Sequence, residues 1–139
     1  MIVLDTNVLS ALMHIEPDGA VRSWLDRQPA ESIWLTSITV FETRFGLELL
    51  PEGRRRRQLE GALSRVLLED FAGRILSFDR SAAEQAAILG AQRKRTGTPV
   101  DFRDTAIAGI VLARRATLAT RNGRHFSDAR IPLVDPWNA

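Results

Sequence analysis

Residues 1–12 read MIVLDTNVLSAL, and this stretch decides how the fold begins. The first four residues are apolar and typical of a short buried strand, and the spacing from Val8 to Met13 predicts a helix that opens after Thr6 or Asn7. Asp5 therefore stands at the carboxyl end of the first predicted strand. Two interpretations stay open for it: a cap for the helix that follows, or a functional carboxylate.

Predicted strands alternate with predicted helices along the whole chain. Further strands are predicted at residues 32–36, 74–78, 117–120 and 131–134. Helices are predicted between them, with Asp18, Ser37 and Ser81 as caps, at residues 18–27, 37–50, 54–69, 81–95 and 102–115. This alternation predicts an α/β fold with a mainly parallel central sheet covered on both faces, and sites in such folds form at the carboxyl ends of strands. No linker or repeat interrupts the pattern, so we expect a single domain over residues 1–139.

The composition narrows the class of protein. Apolar residues make up 45% and charged residues 26% of the chain, a balance typical of a soluble globular domain. No apolar run approaches the roughly 20 residues that cross a bilayer, and no basic signal peptide opens the chain, so we expect a cytoplasmic protein with no membrane contact. The absence of cysteine excludes disulfides and thiolate metal sites.

The cationic residues are almost all arginines, because Lys94 is the single lysine. Arginine favours bidentate contacts with phosphate or carboxylate groups. The densest run, Arg54 to Arg57, has two open interpretations: a solvated helix face, or a contact surface for a polyanion.

A second carboxylate, Glu42, falls among apolar residues of a predicted helix. Glu42 lies on or beside a stripe at helical spacing, which we expect to face the core and which consists of Ile38, Phe41, Phe45 and Leu49. An ionised carboxylate in such a place is costly unless it is paired, protonated or bound to a metal. Two interpretations of Glu42 therefore stay open: a buried ion pair with an arginine, or a functional role.

Asp104 repeats the pattern in the last predicted helix. Ile107, Ala108 and Val111 follow it at helical spacing, so Asp104 shares a face with core residues. It also falls in the first turn, where the helix dipole favours a negative charge. Asp101 stands where a cap is expected, which leaves Asp104 free for another role.

The unusual positions of the three acids have one common explanation if the fold brings together the side chains of Asp5, Glu42 and Asp104. Carboxylates held close repel and raise one another's pKa values, so a divalent cation is their natural occupant. Oxygen ligands without cysteine suit Mg²⁺ or Mn²⁺. Such an ion can activate water, orient a scissile phosphate and stabilise the leaving oxygen.

Several segments, taken together and in this order, resemble a PIN domain: LDTNVL at 4–9, SITVFE at 37–42, DTAIA at 104–108, LATRNGRHF at 118–126, and a closing Pro136-Trp137. More narrowly, the chain is similar to the VapC toxins of bacterial type II toxin–antitoxin pairs, of the FitB-like kind. The resemblance implies a three-layer α/β/α sandwich. It also implies a Mg²⁺- or Mn²⁺-dependent endoribonuclease whose catalytic and metal-binding acids are Asp5, Glu42 and Asp104.

The resemblance further implies supporting residues around these acids. Thr6 and Thr120 would hydrogen-bond the carboxylates or the phosphate, although both also suit ordinary turn and strand positions. Many family members carry a fourth acid where this chain has Asn122, and an amide supplies no charge, so one metal is at least as expected as two. Arg121 and Arg44 are candidates for holding the RNA backbone.

The implied partners are the RNA substrate, a second copy of the chain in a homodimer, and a VapB-type antitoxin. The antitoxin would lay a helix in a groove of the toxin and send an arginine-bearing tail toward the acids, and the helices before and after Pro51 are candidates for that groove. Operator DNA would bind only through the antitoxin complex.

Two other enzyme classes fit the sequence less well, and one non-catalytic function stays open. Haloacid-dehalogenase phosphatases need a second Asp where this chain has Asn7, and receiver domains need a lysine late in the sheet, whereas Lys94 falls in a helix. The serious alternative is a non-catalytic PIN-like module that binds RNA or a partner, for which Asn122 leaves room. His125 is open as a general base or as a surface residue.

Overall fold

The computed structural model describes residues 1–14, 16 and 18–139. The strands in these residues are β1 (Ile2–Leu4), β2 (Ile33–Thr36), β3 (Ile75–Leu76), β4 (Thr117–Ala119) and β5 (Leu133–Val134). The α-helices are α1 (Thr6–Met13), α2 (Gly19–Asp26), α3 (Ser37–Glu48), α4 (Arg54–Arg65), α5 (Arg80–Arg95) and α6 (Phe102–Arg114). A π-helical turn (Val66–Asp70) extends α4, and 3₁₀ segments cover Ala30–Ser32 and Gly123–Ala129. The alternation of strands and helices that the sequence predicts is confirmed.

The central sheet is parallel throughout, in the order β3-β2-β1-β4-β5. β1 lies in the middle, with Ile2 opposite Ile33 on one side and opposite Thr117 on the other. The chain adds β2 and β3 on one side of β1 and then β4 and β5 on the other, so the strand order reverses between β1 and β4. A crevice is expected at the carboxyl ends of these two strands.

Helices cover both faces of the sheet, as two successive residues of β1 show. Val3 belongs to a core that includes buried residues of α5 and α6, whereas Leu4 belongs to a second core that includes buried residues of α1 and α2. Successive strand residues point to opposite faces, so each core lies on its own side. The three-layer α/β/α class is therefore confirmed. In the described residues, no helix is both long enough and apolar enough to cross a membrane.

Helices α5 and α6 pack very closely at Gly109. A Cβ atom added there would lie 2.5 Å from the carbonyl oxygen of Ala82 and 2.7 Å from Cβ of Ala86. Only a residue without a side chain lets the two backbones approach this far. The contact fixes α6, which carries Asp104, against its neighbour.

Two helices begin at caps other than those predicted. Thr36 caps α3 and Asp79 caps α5, where the sequence pattern predicts Ser37 and Ser81. The Ser37 hydroxyl instead accepts the main-chain N–H of Phe78 at 3.1 Å. It thereby joins the start of α3 to the segment that follows β3, a contact between residues far apart in the sequence.

Candidate active site

Asp5 follows β1 and is buried, with 4% of its surface exposed. Its main-chain N–H donates to the carbonyl oxygen of Ala119 at 2.9 Å, which carries the pairing of β1 and β4 one residue further. Its carboxylate accepts hydrogen bonds from the Thr6 N–H (2.8 Å), the Thr120 hydroxyl (2.7 Å) and the Asn7 amide (3.2 Å). Asp5 thus caps α1 and also holds a fixed carboxylate at the crevice between β1 and β4.

Glu42 lies on α3, and its side chain is 19% exposed. Its Oε1 atom accepts a hydrogen bond from the Thr6 hydroxyl at 2.8 Å. Because the Thr6 N–H also binds Asp5, this one threonine links the end of β1 to the side chain from α3.

The apolar stripe on α3 does not face the core, contrary to the sequence-based expectation. Phe41, Phe45 and Leu49 are 55%, 48% and 71% exposed. The buried residues of α3 are Thr39, Thr43 and Leu47. Glu42 is therefore partly buried beside hydroxyl groups at the crevice, and the stripe that drew attention to it is an outer surface.

Asp104 lies in the first turn of α6, and its side chain is 21% exposed. Asp101 caps the helix by accepting the Arg103 N–H at 2.7 Å, as predicted, so Asp104 has no capping role. Its Oδ2 atom lies 3.2 Å from Nδ1 of His125. Burial raises the pKa of Asp104, His125 opposes this rise, and the charge of Glu42 adds to it.

The three acids line one cavity of about 350 Å³ at the carboxyl ends of β1 and β4. The other lining residues are Thr6, Asn7, Ser10, Asp101, Arg103, Asn122 and His125. Burial is the main cause that raises the pKa of Asp5, and the charge of Asp104 raises it further against the Thr120 and Thr6 hydrogen bonds. The tertiary structure therefore places Asp5, Glu42 and Asp104 within electrostatic reach of one another.

The donor atoms of this cavity suit a hard divalent cation. Within the described part of the chain, no hydrogen bond is formed by Oε2 of Glu42 or Oδ1 of Asp104. The carboxylates do not form a closed ligand cluster, because no three acidic, histidine or cysteine side chains among the described residues are grouped tightly enough to hold a metal. Mg²⁺ commonly binds through one or two carboxylates and completes its shell with water and phosphate oxygens, which this arrangement permits.

Two of the supporting residues contact the acids directly. Thr120 is 1% exposed and donates to Asp5, and Thr6 contacts both Asp5 and Glu42. Asn122 lines the cavity, and its main-chain N–H donates to the Thr120 hydroxyl at 3.0 Å. Hydrogen bonds from these neighbouring residues thus orient the carboxylates of Asp5 and Glu42.

The two arginines suggested by the sequence lie outside the residues that line the acidic cavity. The guanidinium of Arg121 lies 4.7 Å from the centre of the Trp137 ring. Arg44 pairs with Glu48 at 2.8 Å and with Glu60 at 3.6 Å. Their positions give them no direct contact with the acids.

Sequence reasoning missed Arg103, which does line the cavity. Its place between Asp101 and Asp104 was the available signal, because nearby acids attract a guanidinium, and Arg103 does pair with Asp101. Asn7 was also missed as a partner of Asp5, although it lies only two residues further along the chain.

The family model for the PIN domain matches residues 2–131, so the chain belongs to the PIN-domain family. It is 42% identical over 137 residues to the VapC ribonuclease Y4jK of Sinorhizobium fredii, a match that covers 99% of this chain and 98% of that protein. It is 36% identical over 138 residues to toxin FitB of Neisseria gonorrhoeae, covering 99% of each. The resemblance seen in the sequence is confirmed.

Solved structures show the same fold. The crystal structure of FitAcB from Neisseria gonorrhoeae aligns with a TM-score of 0.90 and 36% identity over 100% of both chains. The structure of FitAB bound to the IR36 DNA fragment aligns with a TM-score of 0.88 and 36% identity, over 99% of this chain and 96% of that chain. Both similarities extend through the strands and helices that form the acidic cavity.

Proposed function

We propose that this PIN-domain protein is a Mg²⁺- or Mn²⁺-dependent endoribonuclease that acts in the cytoplasm as the toxin of a VapBC-type toxin–antitoxin pair. Cleavage of RNA would inhibit translation and growth. The observation that carries the proposal is the meeting of Asp5, Glu42 and Asp104, from distant parts of the sequence, around one cavity. The names of two full-length relatives, a VapC ribonuclease and a toxin, support it.

The chain's own residues would prepare the cavity for a cation and a phosphate. Asp5, Glu42 and Asp104 would hold the cation, which when bound would supply the charge that activates water and stabilises a phosphodiester under attack. Thr6, Thr120 and Asn7 keep the Asp5 carboxylate in one orientation, since each donates to it. Asn122 lines the cavity as a neutral amide and supplies no charge for a second cation, so one cation is at least as expected as two.

A groove suited to an antitoxin helix lies between α1 and α4. It has a volume of about 610 Å³ and an apolar floor formed by Leu12, Met13, Leu59, Ala62 and Val66. The sequence suggests α3 and α4 as its walls; α4 lines this groove, and α3 lines the smaller cavity beside it. An amphipathic helix can lay its apolar face into such a groove.

A smaller cavity of about 200 Å³ lies between this groove and the acids, since it shares lining residues with both cavities. It shares Met13, His14 and Leu59 with the groove. It shares Thr6, Ser10 and Glu42 with the acidic cavity. A partner helix in the groove could therefore send a tail along this path to the acids. We propose that operator DNA binds only through such a complex; the solved structure of FitAB bound to a DNA fragment supports binding by the complex.

The exposed face of α3 supports the proposed homodimer. Phe41 and Phe45 stack with their ring centres 5.8 Å apart, and both are about half exposed. Leu49 extends this face and is 71% exposed. Exposed apolar patches of this kind mark interaction surfaces, and a second copy of the chain is the partner that we propose.

The test of the nuclease compares RNA cleavage by the wild type and by Asp5→Asn, with added Mg²⁺ or Mn²⁺ and with EDTA. Asparagine keeps the shape of the side chain and one acceptor oxygen but removes the charge. We expect cleavage by the wild type in Mg²⁺ or Mn²⁺, and a loss of at least about a hundredfold in the variant, as for removal of one key electrostatic group.

The matched control is Glu84→Gln, which removes one carboxylate charge from an exposed position on α5. This variant should cleave like the wild type. Cleavage that survives EDTA, or equal activity of Asp5→Asn and wild type, would refute the metal mechanism. RNA binding without cleavage by any of the proteins would favour the non-catalytic alternative.

A further inference from the structure

Arg103 is the one arginine among the described residues that line the acidic cavity. A site that handles RNA must attract a polyanion toward three carboxylates, and these repel it. A guanidinium at the edge of the cavity offsets this repulsion where the phosphate has to approach. The way in which Arg103 is held indicates what it can do there.

Asp101 fixes one edge of the Arg103 guanidinium. Nε of Arg103 donates to Oδ1 of Asp101 at 3.1 Å, and Nη2 donates to Oδ2 at 3.1 Å. Asp101 is itself fixed, because its Oδ1 atom accepts the main-chain N–H of Arg103 as the cap of α6. This paired geometry orients the plane of the guanidinium.

The other edge of the guanidinium stays available toward the cavity. An arginine has five N–H donors, and Asp101 takes only one from Nε and one from Nη2. Nη1 lies 3.8 Å from Oε2 of Glu42, which is too long for a hydrogen bond. The Nη1 and Nη2 edge therefore keeps the forked pair of donors that matches two oxygens of a phosphate.

We propose that Arg103 binds a phosphate of the RNA backbone at the mouth of the acidic cavity, and that Asp101 is the positioning residue that aims it. The inference rests on the proposed function, since it names a substrate-binding side chain of the same site. Arg103 would provide the counter-charge for the incoming strand while Asp5, Glu42 and Asp104 serve the reacting phosphate.

A competing role for Arg103 is as a plug that neutralises Glu42. The distances argue against it, because the bonds to Asp101 are 3.1 Å whereas the approach to Glu42 is 3.8 Å. The Arg103 side chain is also 43% exposed, so solvent and substrate can reach it. The two roles predict opposite effects of removing the guanidinium on RNA affinity.

The test measures binding of a short fluorescent single-stranded RNA to wild type, Arg103→Gln and Arg114→Gln across a series of KCl concentrations, in EDTA to prevent cleavage. Arg114 is the matched control: it lies on the same helix, is 46% exposed and pairs with one aspartate, Asp79. At about 1.5 Å of rise per residue it lies roughly 16 Å along α6 from Arg103.

We expect Arg103→Gln to bind RNA about tenfold more weakly at low salt, and Arg114→Gln to bind like the wild type. The slope of log affinity against log salt should fall in magnitude by about 0.7 for Arg103→Gln, the value for one lost contact with a single-stranded phosphate backbone. Thermal melts should show both variants folded like the wild type.

Two further variants separate charge from geometry. Arg103→Lys keeps the charge but not the fork, so it should keep the salt slope and lose part of the affinity. Asp101→Asn removes a repelling acid and retains a capping side chain, so charge alone predicts tighter binding, whereas loss of positioning predicts weaker binding. We expect weaker binding, and tighter binding would overturn the role of Asp101.

Equal affinities and slopes for Arg103→Gln and Arg114→Gln would refute the inference, and so would tighter RNA binding by Arg103→Gln, which would identify a plug. A failure of the proposed function looks different. If the wild type neither binds RNA here nor cleaves it with Mg²⁺ or Mn²⁺, the proposed function fails and the inference falls with it. If it binds RNA but does not cleave it, only the nuclease fails, and the salt slopes still test the role of Arg103.

Discussion

Replacing the buried Arg93 by methionine is expected to loosen the segment that carries His125. Arg93 is 3% exposed and lies on α5. Its Nε and Nη2 atoms donate to the two oxygens of Asp128 at 2.9 and 2.8 Å. Nη2 also donates to the carbonyl oxygen of His125 at 2.7 Å, and Nη1 donates to the Thr105 hydroxyl at 2.9 Å. One side chain thus ties α5 to α6 and to the 3₁₀ segment beside the acidic cavity.

The size of the effect follows from these contacts. Methionine keeps most of the apolar stem of Arg93 and removes all four hydrogen bonds, each of which has the charged guanidinium as donor and belongs to the class that contributes roughly 1.5–3 kcal/mol. It also removes the cost of burying that charge, which offsets much of the loss. The side chain of Asp128 is 42% exposed, so water compensates much of its loss. We expect the free energy of unfolding to fall by about 3 kcal/mol, which lowers the melting temperature of a domain of this size by about 10 °C.

Urea titration and calorimetry would measure this loss. Arg95→Met is the control, because Arg95 is exposed in the last turn of the same helix and its substitution should change stability by less than about 0.5 kcal/mol. If Arg93→Met were as stable as Arg95→Met, the hydrogen bonds of the buried guanidinium would not stabilise the protein as we expect.

The same pair gives a pH dependence with a definite sign. Arg93 holds the pKa of Asp128 below its usual value. A carboxyl whose pKa is lowered by folding stabilises the native state at neutral pH, and this contribution is lost as the pH falls below about 4. The stability difference between wild type and Arg93→Met should therefore shrink on acidification below pH 4. A difference that stays constant or grows would contradict the ion pair's contribution.

Three further substitutions test other parts of the structure. Gly109→Ala should lower the free energy of unfolding by about 1–3 kcal/mol in a urea titration, because the new Cβ has no room. The control Gly61→Ala lies on α4, where a new Cβ meets nothing within 4 Å, and it should raise the free energy of unfolding by about 0.5–1 kcal/mol. Equal effects of the two substitutions would contradict the close packing at Gly109. Leu59→Arg should weaken binding of the cognate antitoxin in calorimetry and leave RNA cleavage intact, and unchanged affinity would place the partner elsewhere. Phe45→Glu should shift the protein from dimer to monomer in sedimentation, and an unchanged dimer would exclude the α3 face.

Local patterns were sufficient to predict the strands and helices, because strand and helix periodicity and capping residues act over a few neighbours. The caps at Ser37 and Ser81 were wrong by one and two residues, since several polar residues at each boundary can accept the same N–H groups. At Ser37 the decision came from Phe78, whose N–H binds the serine hydroxyl. A partner 41 residues away is invisible to a local pattern.

The apolar stripe of α3 shows a second limit of pattern reasoning. Periodicity correctly placed Phe41, Phe45 and Leu49 on one face, but it cannot tell whether the chain itself covers that face. In the structure these residues are exposed, and Glu42 reaches the cavity through its bond to the Thr6 hydroxyl. Glu42 therefore lines the acidic cavity, although the surroundings expected for it were wrong.

The amino-acid sequence by itself determined the α/β class and the three acids worth examining, because residue type and spacing set which segments form strands and which carboxylates interrupt apolar runs. Only the tertiary structure decided that β1 lies between β2 and β4, so that Asp5 and Asp104 share one cavity with Glu42, and that Arg103 rather than Arg121 or Arg44 stands at its mouth. The physical reason is distance: strand order and side-chain convergence depend on contacts between residues far apart in the chain, whose energies no short window of sequence contains.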